Sequence, residues 1–231
     1  VKQRVNAKLA SAYTERKSVI MKSKKKISLI VIAAALALGI TAFAASGIVS
    51  TWFSSSSSIP DYKSLPTVQQ VTKDIGYAPV IIESFENGYT FKNGSIIKNN
   101  LADESGKSVE RFKSVSFDYE KDGDTVIFAQ DKFNSKAELQ GDVVKTVNGT
   151  DIYYYSYANK LVPPDYKLTD EDKKAEDSGE LVFTYGSSKV EISKVQSATW
   201  VRDGVQYQLL QTDSTLSRDE LTAMVEEILN K

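Results

Sequence analysis

Ala198-Thr-Trp-Val-Arg-Asp-Gly-Val-Gln-Tyr-Gln-Leu-Leu-Gln211, followed six residues later by Ser217-Arg-Asp-Glu-Leu-Thr-Ala-Met-Val-Glu-Glu-Ile-Leu229, decides the class of this chain. Asp203-Gly204 is a two-residue turn signal between alternating stretches, so Ala198–Arg202 and Gln206–Gln211 read as a β-hairpin. In the second piece Ser217 is an N-cap and Glu220 completes a capping box. Leu216 and Leu221 are spaced for a hydrophobic staple, and Leu221, Val225, Ile228 and Leu229 make an apolar helical stripe. A hairpin that hands over to an amphipathic helix is α+β, with the helix laid on one face of an antiparallel sheet.

Working back from there, the same signals recur. Leu181–Tyr185 and Lys189–Ile192 read as strands. Asn148-Gly149 lies between Val143–Val147 and Thr150–Tyr157 and is the strongest hairpin signal in the chain. Lys121-Asp-Gly-Asp124 turns between Phe112–Tyr119, where Val115, Phe117 and Tyr119 share a face, and Thr125–Gln130. Val80–Ile82, Gly88–Lys92 and Gly94–Lys98 read as short strands. Thr67 with Gln70, Val68/Val71/Ile75 and Gly76 predict a short helix over 67–75. Asp165–Glu180 carries seven acidic residues after Pro163-Pro164 and reads as a mobile acidic loop.

The charge is divided. Nine basic side chains in residues 1–26 face only Glu15, whereas the remainder keeps 20 of the 29 basic residues and 29 of the 30 acidic ones. Between head and body, Ile27–Phe53 carries no charge. About 20 apolar helical residues cross a bilayer, and a basic flank stays inside. The organisation expected is a basic cytoplasmic segment at 1–26, a transmembrane helix at 27–49, a Ser-rich linker at 50–63 built on Ser54–Ser58, and an extracytoplasmic α+β domain at 64–231. The lipid bilayer is thus the expected partner. A second reading starts at Met21: Lys22 and Lys24–Lys26, an apolar stretch and Ala42-Phe43-Ala44 form a signal-peptide pattern, with cleavage near Ala44 and a secreted product. Whether Val1 or Met21 is the true start, and whether a cytoplasmic domain precedes Val1, stays open.

Composition excludes several chemistries. Without Cys or His there is no disulfide, thiolate nucleophile, Ser-His-Asp triad or His-ligated zinc. The folded domain is acidic, which argues against nucleic acid. No pair of carboxylates is singled out for hydrolysis. The expectation is therefore no enzyme, no cofactor, no metal and no catalytic residue. Asp118, Glu120, Asp122 and Asp124 alternate as calcium ligands could, but lack the EF-hand order and contain Lys121; a solvated turn is the simpler reading. Tyr153, Tyr155 and Tyr157 fall on one side of their strand and form a candidate ligand surface, against the simpler reading of cross-strand packing.

The Trp200-Val-Arg-Asp-Gly204-Val-Gln-Tyr207 hairpin with its Ser217–Leu229 helix, together with Ile75-Gly-Tyr-Ala-Pro79 and Phe85-Glu-Asn-Gly-Tyr89, resembles a Gram-positive family of extracytoplasmic domains of unknown function. These domains follow a single transmembrane helix in anti-sigma-factor-like proteins of the bacterial cell envelope, or stand in lipoproteins. A weaker likeness is to periplasmic anti-sigma regulators with a curved, lipoprotein-carrier-like sheet. The resemblance implies a curved antiparallel sheet, Trp200 as core anchor, Gly204 as turn and Tyr207 as cross-strand partner. It also implies a sensor or binding role, with a cytoplasmic sigma factor or another regulator as a second partner. No zinc-binding His/Cys helix of a standard anti-sigma factor is present.

Overall fold

The computed structural model describes residues 51–103, 105–132, 134, 139–163, 165–179 and 181–231, of which the side chains of 51–53 are not placed. Nine strands form one curled, half-barrel sheet with three short helices, an α+β architecture. The strands are β1 (Thr51–Ser55), β2 (Thr90–Ala102), β3 (Ser108–Lys121), β4 (Asp124–Asp131), β5 (Asp142–Val147), β6 (Thr150–Val162), β7 (Leu181–Tyr185), β8 (Glu191–Arg202) and β9 (Val205–Thr212). The helices are α1 (Val68–Ile75), α2 (Asp170–Asp177) and α3 (Arg218–Leu229). Spatial order is β1-β2-β3-β4-β9-β8-β6-β5, with β7 also on β6.

The turns explain the meanders. Asp122-Gly123, Asn148-Gly149 and Asp203-Gly204 all have positive φ at both positions, the I′ geometry whose twist matches the flanking strands. Asp203-Gly204 sets Trp200 directly opposite Tyr207. The two rings stack at 5.4 Å and Phe128 joins them at 5.9 Å from Trp200. Val115, Phe117 and Tyr119 point into the same core, all fully buried. Helices α1 and α3 cover this face through Val71, Ile75, Leu221, Val225, Ile228 and Leu229. Both helices open with the expected capping boxes, Thr67/Gln70 and Ser217/Glu220. The far end of α3 is closed from the hairpins: Asn148 Nδ2 and Arg202 donate to the Leu229 carbonyl at 3.3 and 3.4 Å. Those bonds satisfy an acceptor that a helix end leaves open.

Several expectations are corrected. The short strands at 88–92 and 94–98 are one strand, β2. Gly94 does not break it, because the Phe117 ring packs where a side chain would stand, 2.6 Å from the position of a Cβ. The strands expected at 189–192 and 198–202 likewise merge in β8. Val80–Ile82 is not a strand. Its ladder is replaced by the Gln130 side chain, which accepts from the Val80 N–H at 2.8 Å and donates to the Val80 carbonyl at 2.6 Å. The sheet is not wholly antiparallel, since β7 runs parallel to β6 after a crossover through α2. The acidic stretch 165–180 is therefore not a loop throughout, and α2 occupies 170–177. The linker expected at 50–63 is in part strand. β1 pairs with β2 from Thr51↔Ala102 to Ser55↔Lys98, and Tyr62 bridges to Gly94. Residues 51–55 and Tyr62 thus belong to the same sheet as the rest of the described chain. The transmembrane helix expected at 27–49 and the basic segment 1–26 lie outside the described residues. Among the described residues no helix is long and apolar enough to cross a membrane.

Candidate functional site

Side chains on opposite sides of a strand reach opposite faces of the sheet. Trp200, Tyr207 and Tyr154 belong to the aromatic core face, and Tyr155 and Tyr157 to the other. On that second face Tyr157 is buried in a small cluster with Val195 and Leu210, and Tyr155 stacks on it at 5.3 Å. The Tyr155 hydroxyl donates to the Gly179 carbonyl at 2.5 Å, just beyond α2. Burial pushes both phenols up from their ordinary range. Of the three candidate tyrosines, then, Tyr155 is engaged by the end of the α2 crossover and Tyr157 by packing against β8 and β9. Only the half-buried Tyr153 remains, opposite the exposed Val143.

The crossover is fastened by a second polar knot. Lys160 pairs with Asp172 at 2.7 Å, and its ammonium lies 5.0 Å from the Tyr166 ring centre and 5.6 Å from that of Phe183. Asp172 also accepts from Tyr166 and from the Thr169 N–H. Burial works against the Asp172 carboxylate, but these donors outweigh it and hold its pKa down at about 2. An ion pair set between aromatic faces, with the carboxylate accepting from three groups, is a structural clamp on the crossover.

The remaining motifs also serve the fold. Tyr154 donates to Gln196, whose amide donates onward to Gln211 and to the Leu216 carbonyl, so β6, β8, β9 and the approach to α3 share one chain of bonds. Trp200 and Tyr207 are core, Gly204 is the turn, and Ser217 and Glu220 cap α3. The alternating carboxylates diverge. Glu120 pairs with Lys92, while Asp124 accepts from Tyr89 at 2.7 Å and from Ser214. Among the described residues no three carboxylates converge as a metal would require. An open groove of about 510 Å3 runs between β5 and α3. Four of its charged residues are paired with one another, Lys145 with Glu226 at 2.6 Å and Arg218 with Asp219 at 3.2 Å, and Asp142 also lines it.

One constellation was not read from the sequence. Ser54 Oγ donates to Asn99 Oδ1 at 2.5 Å; Asn99 Nδ2 donates to Ser114 Oγ at 2.6 Å; Ser114 Oγ donates to Asp131 Oδ1. Four side chains on four consecutive strands thus form one chain of bonds, every donor pointing toward a buried carboxyl. Burial raises the Asp131 pKa to about 6, and the Ser114 bond opposes that rise. Only the strand register gathers these residues, which lie tens of positions apart, so no local motif could announce them. Their position matters because β1 is an edge of the sheet and its first three residues are the last of the uncharged segment. In comparisons with known proteins, the chain matches no protein-family model, no curated protein and no solved structure.

Proposed function

We propose that this chain is a membrane-anchored extracytoplasmic sensor or binding domain of the bacterial cell envelope, without catalytic activity. The observation that carries this reading is the position of β1. Strand β1 opens at Thr51, inside the last residues of the uncharged stretch Ile27–Phe53, whose 27–49 part is long enough to cross a bilayer and follows a basic head. A Ser-rich tether would uncouple the domain from its anchor. A paired edge strand instead links the anchor to the sheet through backbone hydrogen bonds. A ligand or contact that shifts the sheet therefore acts on the membrane segment through this strand. The resemblance to domains of anti-sigma-factor-like proteins supports the same role, with an inner regulator such as a sigma factor as the partner of residues 1–26.

The test is topology. The full chain with a C-terminal tag is expressed in a Gram-positive host, membranes are extracted with carbonate, and the N-terminus is read by mass spectrometry. Retention in the membrane with residues 2–26 present, and a tag cleaved by external protease, is the expected result. A soluble exported product starting near Ala45 overturns the anchored reading. It leaves the Ala42-Phe43-Ala44 alternative, a secreted non-catalytic binding or structural module.

A further inference from the structure

We infer that β1 is a two-register strand, able to slide along β2 by two residues while the rest of the sheet stays fixed. Three features of the β1–β2 edge lead there. The first is chemical degeneracy. Ser54 stands opposite Asn99 and Ser55 opposite Lys98. The run continues through Ser58, so a slip of two residues sets Ser56 opposite Asn99 and Ser57 opposite Lys98. The same hydroxyl then meets the same amide. Because the side-chain period is two, the polar chain to Ser114 and Asp131 survives intact. A one-residue slip would turn the hydroxyl to the other face and break it.

The second feature is an unmet hydrogen bond. Ser56 Oγ is shielded from solvent and has no partner. A shielded hydroxyl without a partner is costly. It lies two residues beyond Ser54, in line to take over that residue's bond. The third feature is slack. Downstream, Tyr62 pairs with Gly94 through bonds of 2.9 and 2.8 Å, and Asp61 accepts from the Ile96 N–H at 2.8 Å. Between the Ser55↔Lys98 and Tyr62↔Gly94 pairs, six residues (56–61) face three (95–97) across the edge. The surplus of three absorbs a two-residue slip without disturbing Tyr62 or Asp61.

In the slipped register β1 keeps five rungs, residues 53–57 opposite 102–98, and the chain before residue 51 is displaced by roughly 7 Å along the strand. Thr51 and Trp52 leave the ladder and Phe53 moves from Asn100 to Ala102, so the balance between registers responds to a pull on the preceding chain. The slip itself does not depend on the membrane reading; only its use in signalling does.

Disulfide trapping tests it, because the chain has no native cysteine. Three double variants of the full chain, Ser55→Cys/Lys98→Cys, Ser57→Cys/Lys98→Cys and Ser58→Cys/Lys98→Cys, are oxidised in isolated membranes or as the exported product, and the linked peptides are quantified by mass spectrometry. The first reports the observed register, the second the slipped one, and the third the wrong face. The expected result is cross-linking in the first two, well above the third. Adding Ser56→Ala should cut the second by roughly five-fold, the effect of one lost hydrogen bond, and leave the first unchanged. A second pair that links no better than the third, while the first links efficiently, overturns the inference. So does insensitivity of the second pair to Ser56→Ala.

Discussion

Replacing Asp131 by Asn should alter how stability depends on pH more than it alters stability itself. The carboxyl is buried at the end of the Ser54–Asn99–Ser114 chain. It faces Ser114 on β3, Gln206 on β9 and Tyr77 after α1, with Lys132 beside it in sequence. The side chain that donates to it, Ser114, is a neutral hydroxyl. Its pKa in the fold is about 6 against an ordinary 3.8. Between those values the native chain holds a proton that the unfolded chain releases, so stability falls as pH rises from about 4 to about 6 and is level above. Two pH units at about 1.4 kcal/mol each set an upper bound on the order of 3 kcal/mol. The Asn side chain is close in shape and does not ionise. Urea unfolding of wild type and Asp131→Asn from pH 4 to pH 8 isolates this group, because the other titrations cancel in the difference. The variant should gain on the wild type by up to about 3 kcal/mol over that range. A difference that is flat, or that moves the other way, refutes the reasoning.

Other perturbations give separate checks. Gly94→Ala sets a methyl 2.6 Å from the Phe117 ring, and overpacking of this kind costs about 1–3 kcal/mol, visible as a lowered melting temperature. Trp200→Ala removes the centre of the stacked Phe128–Trp200–Tyr207 group and should cost about 3–5 kcal/mol, with loss of near-UV dichroism. Lys160→Met strips Asp172 of its cation; amide exchange in α2 should then accelerate while that in α3 is unchanged. The Asp172 clamp contributes stability that is present above about pH 4 and is lost as pH falls toward 2, so α2 exchange should rise in acid in the wild type.

What could be read from the sequence was short in range. The three I′ turns, the Thr67 and Ser217 caps and the Trp200–Tyr207 pairing depend on residues within ten positions of one another, and each appeared where expected. The errors fell where a distant group decides local structure. Gly94 looked like a break because the Phe117 ring that fills its place is absent from the local sequence. Val80–Ile82 looked like a strand, yet its hydrogen bonds go to side chains, Val80 to Gln130, fifty residues on, and Ile82 to the Tyr119 hydroxyl. The serine run has no β pattern of its own, and its first two residues, Ser54 and Ser55, are strand because β2 pairs with them. The α2 helix was legible in one respect: Thr169 and Asp172 form a capping box, but the helix lacks an apolar stripe, and its acidity dominated the reading. The tyrosine strand was placed correctly by period two, while its engagement by Gly179 required the crossover to be known.

The seam between β4 and β9 has a consequence for synthesis. Strands β1 to β4 form a meander in chain order, but β4 receives its second neighbour only when β9 exists. At 5–20 residues per second, the stretch from Asp131 to Val205 takes a ribosome roughly 4–15 s. For that interval the β4 edge and Phe128 on it lack the strand that later pairs with them, an opening for misassociation with another nascent chain. The C-terminal hairpin is thus the closing stitch of the sheet, and a chain truncated before it is expected to aggregate rather than persist as a smaller domain.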